Sequence, residues 1–264
     1  MRTFLLISIF VTFAFTAQSQ FVCNSDSVKI YELAGTDLPA TEGSAIFQTG
    51  AYKVIVGGMF ADPEYPDEEG IYNCDMLIVD YIQQKTFILP LSFFPPGVAE
   101  QFSAARFCYT LNQDTAYIVG GFGFDWAAGY ETTLPLMTIF PLKTLIDSVV
   151  QHKDYFDLFE VVHDNRLAIT EGRLVHAGKY FLVYNGKEII PIEDEYTGSL
   201  TMNEWSYQKQ LRKFSLRKCE GFREVCDFVV CSDPKILYQC IPEVWEEEPG
   251  LIEPVEFNPL YNQR

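Results

Sequence analysis

Ala51-Tyr-Lys-Val-Ile-Val-Gly-Gly58 and Thr115-Ala-Tyr-Ile-Val-Gly-Gly121 are the two stretches whose reading decides the fold. Each is a short run of β-branched and aromatic residues closed by a glycine doublet, the pattern of a strand that ends in a turn. A weaker third copy is Gly178-Lys-Tyr-Phe-Leu-Val-Tyr-Asn-Gly186. From Gly58 to Gly121 is 63 residues, and from Gly121 to Gly186 is 65. A nearly constant interval of this size marks a chain built from repeated units.

The flanks repeat as well. Ala45-Ile-Phe47, Phe107-Cys-Tyr-Thr-Leu111 and Leu174-Val-His176 stand in matching places upstream, each turning back into the glycine-terminated strand through a short polar link such as Asn112-Gln-Asp114. Downstream of Gly58 come Tyr72-Asn73, Asp75, Met76-Leu-Ile-Val79, Asp80 and Phe87-Ile-Leu89, read as a third strand, a turn and a fourth strand. Glycine at the strand end permits positive φ and close backbone approach where a Cβ would clash. A single doublet would mark only a turn; two with matched flanks predict repeated sheets. A β-sandwich also has short strands and frequent turns, but gives no reason for equal intervals above sixty residues. Helix is nearly absent from the pattern; Leu142 to Lys153 reads equally as one short helix or as a turn.

These features resemble the kelch repeat of β-propellers. The resemblance rests on Gly57-Gly58 and Gly120-Gly121, on Tyr72-Asn73 before the third strand, on Asp80 at its end, and on Phe87 where the family usually has Trp. It runs from about residue 28 to residue 216. The third unit departs, with Asn185-Gly186 in place of the doublet, although Arg166-Leu-Ala-Ile-Thr-Glu-Gly172 and Tyr207-Gln-Lys-Gln-Leu-Arg-Lys-Phe214 still read as strands of such a unit. The resemblance implies an all-β fold of kelch-like blades, each of four antiparallel strands, with Gly57, Gly58, Gly120, Gly121 and Gly186 as structural repeat glycines. The 245 residues after Ser19 hold about 3.8 such units, whereas closed propellers have roughly four to eight. An incomplete propeller of three to four blades, from a truncated or divergent relative of a longer one, is therefore expected. Val28-Lys-Ile-Tyr-Glu-Leu33 resembles the fourth strand of a blade and is expected to help close the ring. An open arc would expose a strand edge and self-associate through it.

The ends of the chain differ in character. Met1 to Gln20 reads as Arg2, an apolar run from Phe4 to Phe15, then Ala17-Gln18-Ser19, a secretory signal peptide over residues 1–19. The run is too short to span about 30 Å of hydrocarbon. Together with the repeats it resembles secreted bacterial kelch proteins, so a secreted, periplasmic or extracellular location is expected. Residues 20–216 are expected to form the blades, and residues 217–264 a divergent acidic tail with Pro249, Pro254 and Pro259. Cys219, Cys226, Cys231 and Cys240 cluster there; they contain no CxxC pair or neighbouring His, so disulfides with three open connectivities fit better than zinc. Cys108 lies in an apolar strand pattern and reads as a buried, inert thiol.

Charge narrows the partners. Nineteen Lys+Arg against 36 Asp+Glu give a net charge of −17. Such acidity opposes binding to nucleic acid and to anionic membrane surfaces, and the 15% aromatic content excludes a disordered polymer. No catalytic motif is present: the sequence has no nucleophile elbow, HExxH helix or phosphate-binding loop. His176 sits in a strand as a packing residue. His152 and His163, beside Asp154, Asp157 and Asp164, match no metal-ligand spacing. No cofactor is expected. Asp62, Glu64, Asp67 and Glu68, with Glu69, form a carboxylate-dense loop that could offer oxygens to Ca²⁺, though without the Asp/Asn-Gly alternation of a calcium loop. Phe122, Phe124, Trp126 and Tyr130 follow the second doublet and read either as core or as a platform for a sugar ring or a protein. The expected function is a secreted module that binds a protein or glycan partner. The alternatives are a propeller enzyme of the oxidase or sugar-isomerase type, or a gene fragment without activity. The copper oxidases of this family need Tyr and His ligands and a modified Cys-Tyr pair, none of which can be matched here.

Overall fold

The three glycine-terminated runs become the second strands of three antiparallel sheets in the computed structural model, which describes residues 31–34, 41–60, 70–193, 198, 200–206, 210–219 and 221–231. The expected signal peptide lies outside the described residues. The described residues are predominantly β. The first sheet runs in the order Ala45–Thr49, Tyr52–Val56, Asp75–Asp80, Lys85–Pro90, with Tyr31–Ala34 added beside the last. The second is Cys108–Asn112, Thr115–Val119, Leu136–Pro141, Glu160–His163. The third is Arg173–Ala177, Tyr180–Tyr184, Leu211–Cys219, Phe222–Cys231. In each, the connection from the second strand to the third carries a small hairpin. These are Met59–Phe60 with Ile71–Tyr72, Phe122–Asp125 with Tyr130–Thr133, and Lys187–Glu193 with Leu200–Ser206.

Neighbouring sheets are joined by the same backbone bonds each time. The Gly58 N–H donates to Ala104 O at 2.8 Å, and the Gly121 N–H donates to Ile169 O at 2.9 Å. The Arg106 N–H donates to Gly43 O at 2.6 Å, and the Glu171 N–H donates to Arg106 O at 2.8 Å. Donors and acceptors are again 63 and then 65 residues apart, the intervals of the doublets themselves. Gly43, Arg106 and Glu171 all have positive φ, at 70°, 60° and 57°. The step from the first sheet to the second is thus repeated, bond for bond, from the second to the third.

Apolar alternation along the strands fills the space between sheets. Phe47, Val54, Met76, Ile78 and Phe87 of the first sheet pack with Ala116, Ile118 and Phe140 of the second. Phe47 meets Tyr109 and Phe140 edge-on, with centroids 5.4 and 5.9 Å apart, a geometry worth about 0.5–1.5 kcal/mol per pair beyond burial. Cys108, Val119, Met137 and Ile139 pack in turn against Leu174, Phe181, Val183 and Phe214 of the third sheet. Cys108 is fully buried, and burial pushes its thiol up to about 12, which makes it inert.

Several expectations need correction. Tyr31–Ala34 pairs antiparallel with Lys85–Pro90 and so extends the first sheet rather than closing the last one. The expected boundary at Leu216 falls inside the strand Leu211–Cys219, which turns at Gly221 into a ten-residue strand reaching Cys231. The lead-in Arg166–Gly172 is not a strand. Asn165–Leu167 is a 3-10 turn capped by Asp164, and Thr170 forms a single bridge with Lys187. Of Tyr207–Phe214, residues 207–209 lie outside the described residues and the strand begins at Leu211. Of the two readings left open for Leu142 to Lys153, the helix is the one present, over Leu142–Val150, with Leu142, Leu145, Ile146 and Val149 at helical spacing in the core. A second helix, Pro96–Phe102, begins on a proline at its first position, where the missing N–H costs nothing.

Candidate binding surface on the inter-strand hairpins

The glycine doublets set where the hairpins leave their sheets. Gly57 and Gly120 have φ of 59° and 64°. A Cβ on either would overlap a backbone oxygen of the next sheet's lead-in, Ala104 O or Ile169 O. Their carbonyls are held as well: Gly57 O accepts from Ser44 Oγ at 3.0 Å and Asn73 Nδ2 at 3.2 Å, and Gly120 O accepts from Gln101 Nε2 at 3.0 Å. In the third unit Asn185 takes the left-handed conformation at φ 56°. Gly186 has an ordinary φ, and a Cβ there would strike the Ile169 side chain. Asn185 thus takes the left-handed conformation of Gly120, and Gly186, like Gly121 against Phe107, lies too close to a residue leading into its own sheet for a Cβ.

The second and third hairpins bond to the lead-ins of their own sheets and then to each other. Ala105 and Phe122 exchange backbone bonds at 2.9 and 2.7 Å, and Thr170 and Lys187 do so at 2.8 Å. Thr132 Oγ1 donates to Ile189 O at 3.0 Å, and the Ile189 N–H donates to Thr133 Oγ1 at 2.7 Å, which ties the second hairpin to the third. An ion-pair chain follows the same path. Arg106 Nη1 lies 3.2 Å from Glu171 Oε1, and Lys187 Nζ lies 2.9 Å from Glu171 Oε2 and 2.8 Å from Glu204 Oε1. Hydrogen bonds from Lys187 to Glu171, then to Glu204, raise the lysine's pKa above its ordinary value. All four groups are partly exposed, so the pairs fix geometry more than they add stability.

The four expected aromatics divide between the two readings. Phe122 is buried and Phe124 half-buried, ordinary packing on the inner part of the hairpin. Trp126 and Tyr130 are 49% and 37% exposed, flanking the tip. The tip is held firmly: the Ala127 and Ala128 N–H groups donate to Asp125 Oδ1 at 2.9 and 2.8 Å, and the Gly129 N–H donates to Asp125 O at 2.8 Å. The Trp126 N–H donates to Glu100 Oε1 at 2.8 Å, from the helix Pro96–Phe102. Burial raises the Glu100 pKa, and the bond from Trp126 partly opposes that rise.

Sequence reasoning missed Glu100 and the apolar residues of the other hairpins. Ile71, Ile190, Ile192 and Met202 are exposed by 41–49%. With Trp126 and Tyr130 they make six of the fourteen exposed large apolar side chains of the described residues, all on three short hairpins. The signal was present in Lys187-Glu-Ile-Ile-Pro-Ile-Glu193, where Ile190 and Ile192 alternate on one face. Asp62, Glu64, Asp67 and Glu68 lie outside the described residues. Among the described residues no three His, Cys, Asp or Glu side chains gather as a metal site. His176 packs flat on Phe181 at 4.2 Å, with Nδ1 2.6 Å from Asn112 Nδ2. No described helix is long and apolar enough to cross a membrane.

No protein-family model matches the chain, and no curated protein matches it in sequence. One solved structure, described as "Structure of YjhT", is similar over 73% of this chain and 46% of its own, at 13% identity and a TM-score of 0.38. The chain thus spans less than half the length of that protein.

Proposed function

We propose that this chain is a secreted binding module built on kelch-like propeller blades, which engages a protein or glycan partner through its inter-strand hairpins. The three large sheets are its blades, and the repeated backbone bonds at Gly58, Arg106, Gly121 and Glu171 are the junctions that set them around a common axis. The carrying observation is the concentration of exposed Ile71, Trp126, Tyr130, Ile190, Ile192 and Met202 on these hairpins. Each of these side chains offers apolar surface that contact with a partner would remove from water. Trp and Tyr supply large contact area with few rotatable bonds.

The test is a binding screen of the wild-type chain against immobilised glycans and extracellular proteins, repeated with Trp126→Ala plus Tyr130→Ala and with Ile190→Asp plus Ile192→Asp. A bound partner should be lost by at least one pair, with thermal unfolding within a few degrees of wild type. Binding that survives both pairs would place the site elsewhere. A crystal structure in which the three large sheets share no axis would remove the blade assignment.

A further inference from the structure

Cys74 and Cys231 are each disulfide-bonded, whereas Cys108, Cys219 and Cys226 are free thiols. The expectation of disulfides among Cys219, Cys226, Cys231 and Cys240 therefore fails for the first two, and Cys74, far from that cluster in sequence, is bonded instead. Its backbone is fixed at one end of the first sheet. It stands between the hairpin strand Ile71–Tyr72 and the strand Asp75–Asp80, and its carbonyl accepts from the Leu91 N–H at 3.0 Å.

Cys231 is not the partner of Cys74. The second sheet packs on the first and, with other side chains, on the third, so it stands between them. Cys74 and Cys231 are thus two sheet spacings apart, about 20 Å at roughly 10 Å per spacing. A disulfide needs Cα atoms within about 7 Å of each other. Each of the two bonds therefore ends on a cysteine outside the described residues, Cys23 or Cys240.

Topology chooses between them. Tyr31–Ala34 and Asp75–Asp80 both pair antiparallel with Lys85–Pro90, so they run in the same direction on either side of it. Tyr31 and Leu77 are both opposite Ile88. Cys74 is three residues back from that level, in the direction in which the chain leads from Tyr31 to Cys23. The separation of Tyr31 and Cys74 is about 10 Å along the sheet and about 10 Å across two strand spacings, roughly 14 Å in all. Cys23 is eight residues before Tyr31, and eight residues reach up to about 27 Å. From Cys23 to Cys74 is 51 residues and from Cys231 to Cys240 is 9. Exchanging the partners gives loops of 208 and 166 residues, both of which must pass the second sheet. Closure costs more as a loop grows.

We infer that Cys74 is bonded to Cys23, and that this bond clamps the strand Tyr31–Ala34 to the first sheet. That strand has four residues and stands at the end of the sheet order, beside Lys85–Pro90. A short terminal element of this kind frays unless it is tied down. Held in place, it covers a strand edge whose backbone groups would otherwise be open to another chain. The bond forms by exchange with a small-molecule disulfide of the glutathione class. One protein thiolate attacks the small disulfide and releases one small thiol, and the other attacks the resulting mixed disulfide and releases the second. Two protein thiols are oxidised, one small disulfide is reduced to two thiols, and two protons pass from the protein thiols to the released ones.

The purified full chain, folded in a mixture of reduced and oxidised glutathione, is alkylated with iodoacetamide in urea and digested with trypsin without reduction. Cleavage after Lys29, Lys53, Lys85, Arg223 and Lys235 puts Cys23, Cys74, Cys231 and Cys240 on four separate peptides. Mass spectrometry should find the Cys23 and Cys74 peptides joined, and dithiothreitol should separate them. Cys74 found alkylated, or joined to Cys231 or Cys240, overturns the pairing. Hydrogen exchange reads the clamp. In Cys23→Ala plus Cys74→Ala, the amides of Tyr31–Ala34 should exchange about tenfold faster or more, while those of Tyr52–Val56 stay protected and show that the variant is folded. Exchange that is unchanged at Tyr31–Ala34, or raised equally in both strands, overturns the clamp.

Discussion

Gly120→Ala isolates the contact that repeats the sheets. Gly120 sits at φ 64°, and an added Cβ would overlap Ile169 O, a backbone atom with little room to move. The left-handed conformation alone costs an alanine about 1–2 kcal/mol. Relieving the overlap requires Ile169 O to withdraw, which weakens the 2.9 Å bond from the Gly121 N–H. Leaving that buried donor unpaired costs about 1–3 kcal/mol more. The expected loss is therefore about 2–5 kcal/mol, a large fraction of a typical stability of about 5–15 kcal/mol. At roughly 2–4 °C per kcal/mol for a chain of this size, melting should fall by about 4–20 °C. Gly129→Ala is the control: φ is 81° there, but nothing lies within 4 Å of the added carbon, so only the conformational part remains. Calorimetric melting of both variants beside wild type decides the matter. If Gly120→Ala melts within the error of Gly129→Ala, the junction is not held by close approach and the reasoning fails.

Three further outcomes follow from the same structure. Gln101→Leu removes the Nε2 group that donates to Ile118 O, Gly120 O and Leu136 O at 3.0–3.3 Å in a fully buried site, and should lower stability by about 2–4 kcal/mol in urea unfolding; a loss below about 1 kcal/mol refutes it. Burial lowers the His176 pKa below 6.5 in the folded chain, so its contribution is complete above about pH 6.5 and declines as pH falls towards the folded value, because the unfolded state takes up the proton first. His176→Gln should therefore flatten part of the stability loss between pH 7.5 and 5.5, and an unchanged slope counts against this. Iodoacetamide applied to the reduced, folded chain should modify Cys219 and Cys226 while sparing Cys108, whose thiol is buried and pushed up to about 12; mass mapping that finds Cys108 alkylated at a comparable rate contradicts the core assignment.

Strand order in the first sheet, and the first two strands of the second, were legible because alternation and glycine doublets are local signals. Tyr52–Val56 and Thr115–Val119 announce themselves by composition, and the doublets report the turn that follows. The third unit was harder to read because Asn185, rather than a glycine, adopts the left-handed turn. Asn tolerates that region by bonding locally, so the conformation persists without its usual letter. The ribbon beyond Leu216 was misplaced for a different reason. Its clustered cysteines and mixed charges disguise a regular strand whose partner supplies the order, and strand propensity depends on such context. Glu100 left no signal at all, since its role as anchor of Trp126 arises only when the helix Pro96–Phe102 packs beside the second hairpin.

Equal intervals in a sequence can survive while the residues between them change, and the junctions show why. The bonds from Gly58 to Ala104 and from Gly121 to Ile169 run between backbone groups, as do those linking Gly43, Arg106 and Glu171. Side chains at these three positions differ completely in size and charge, yet all three take positive φ. The repeated element is thus a backbone path with steric exclusions at Gly57 and Gly120, not a set of side-chain contacts. That leaves the exposed hairpin residues free to diverge, because the lead-ins hold Phe122 and Lys187 through main-chain bonds and the Thr132 and Thr133 hydroxyls tie the second hairpin to the third at Ile189. Ile71, Trp126 and Ile190 can therefore differ from unit to unit without loosening the sheets. On this physical ground stability belongs to the junctions, and a partner engaged as proposed above would be selected by the hairpins.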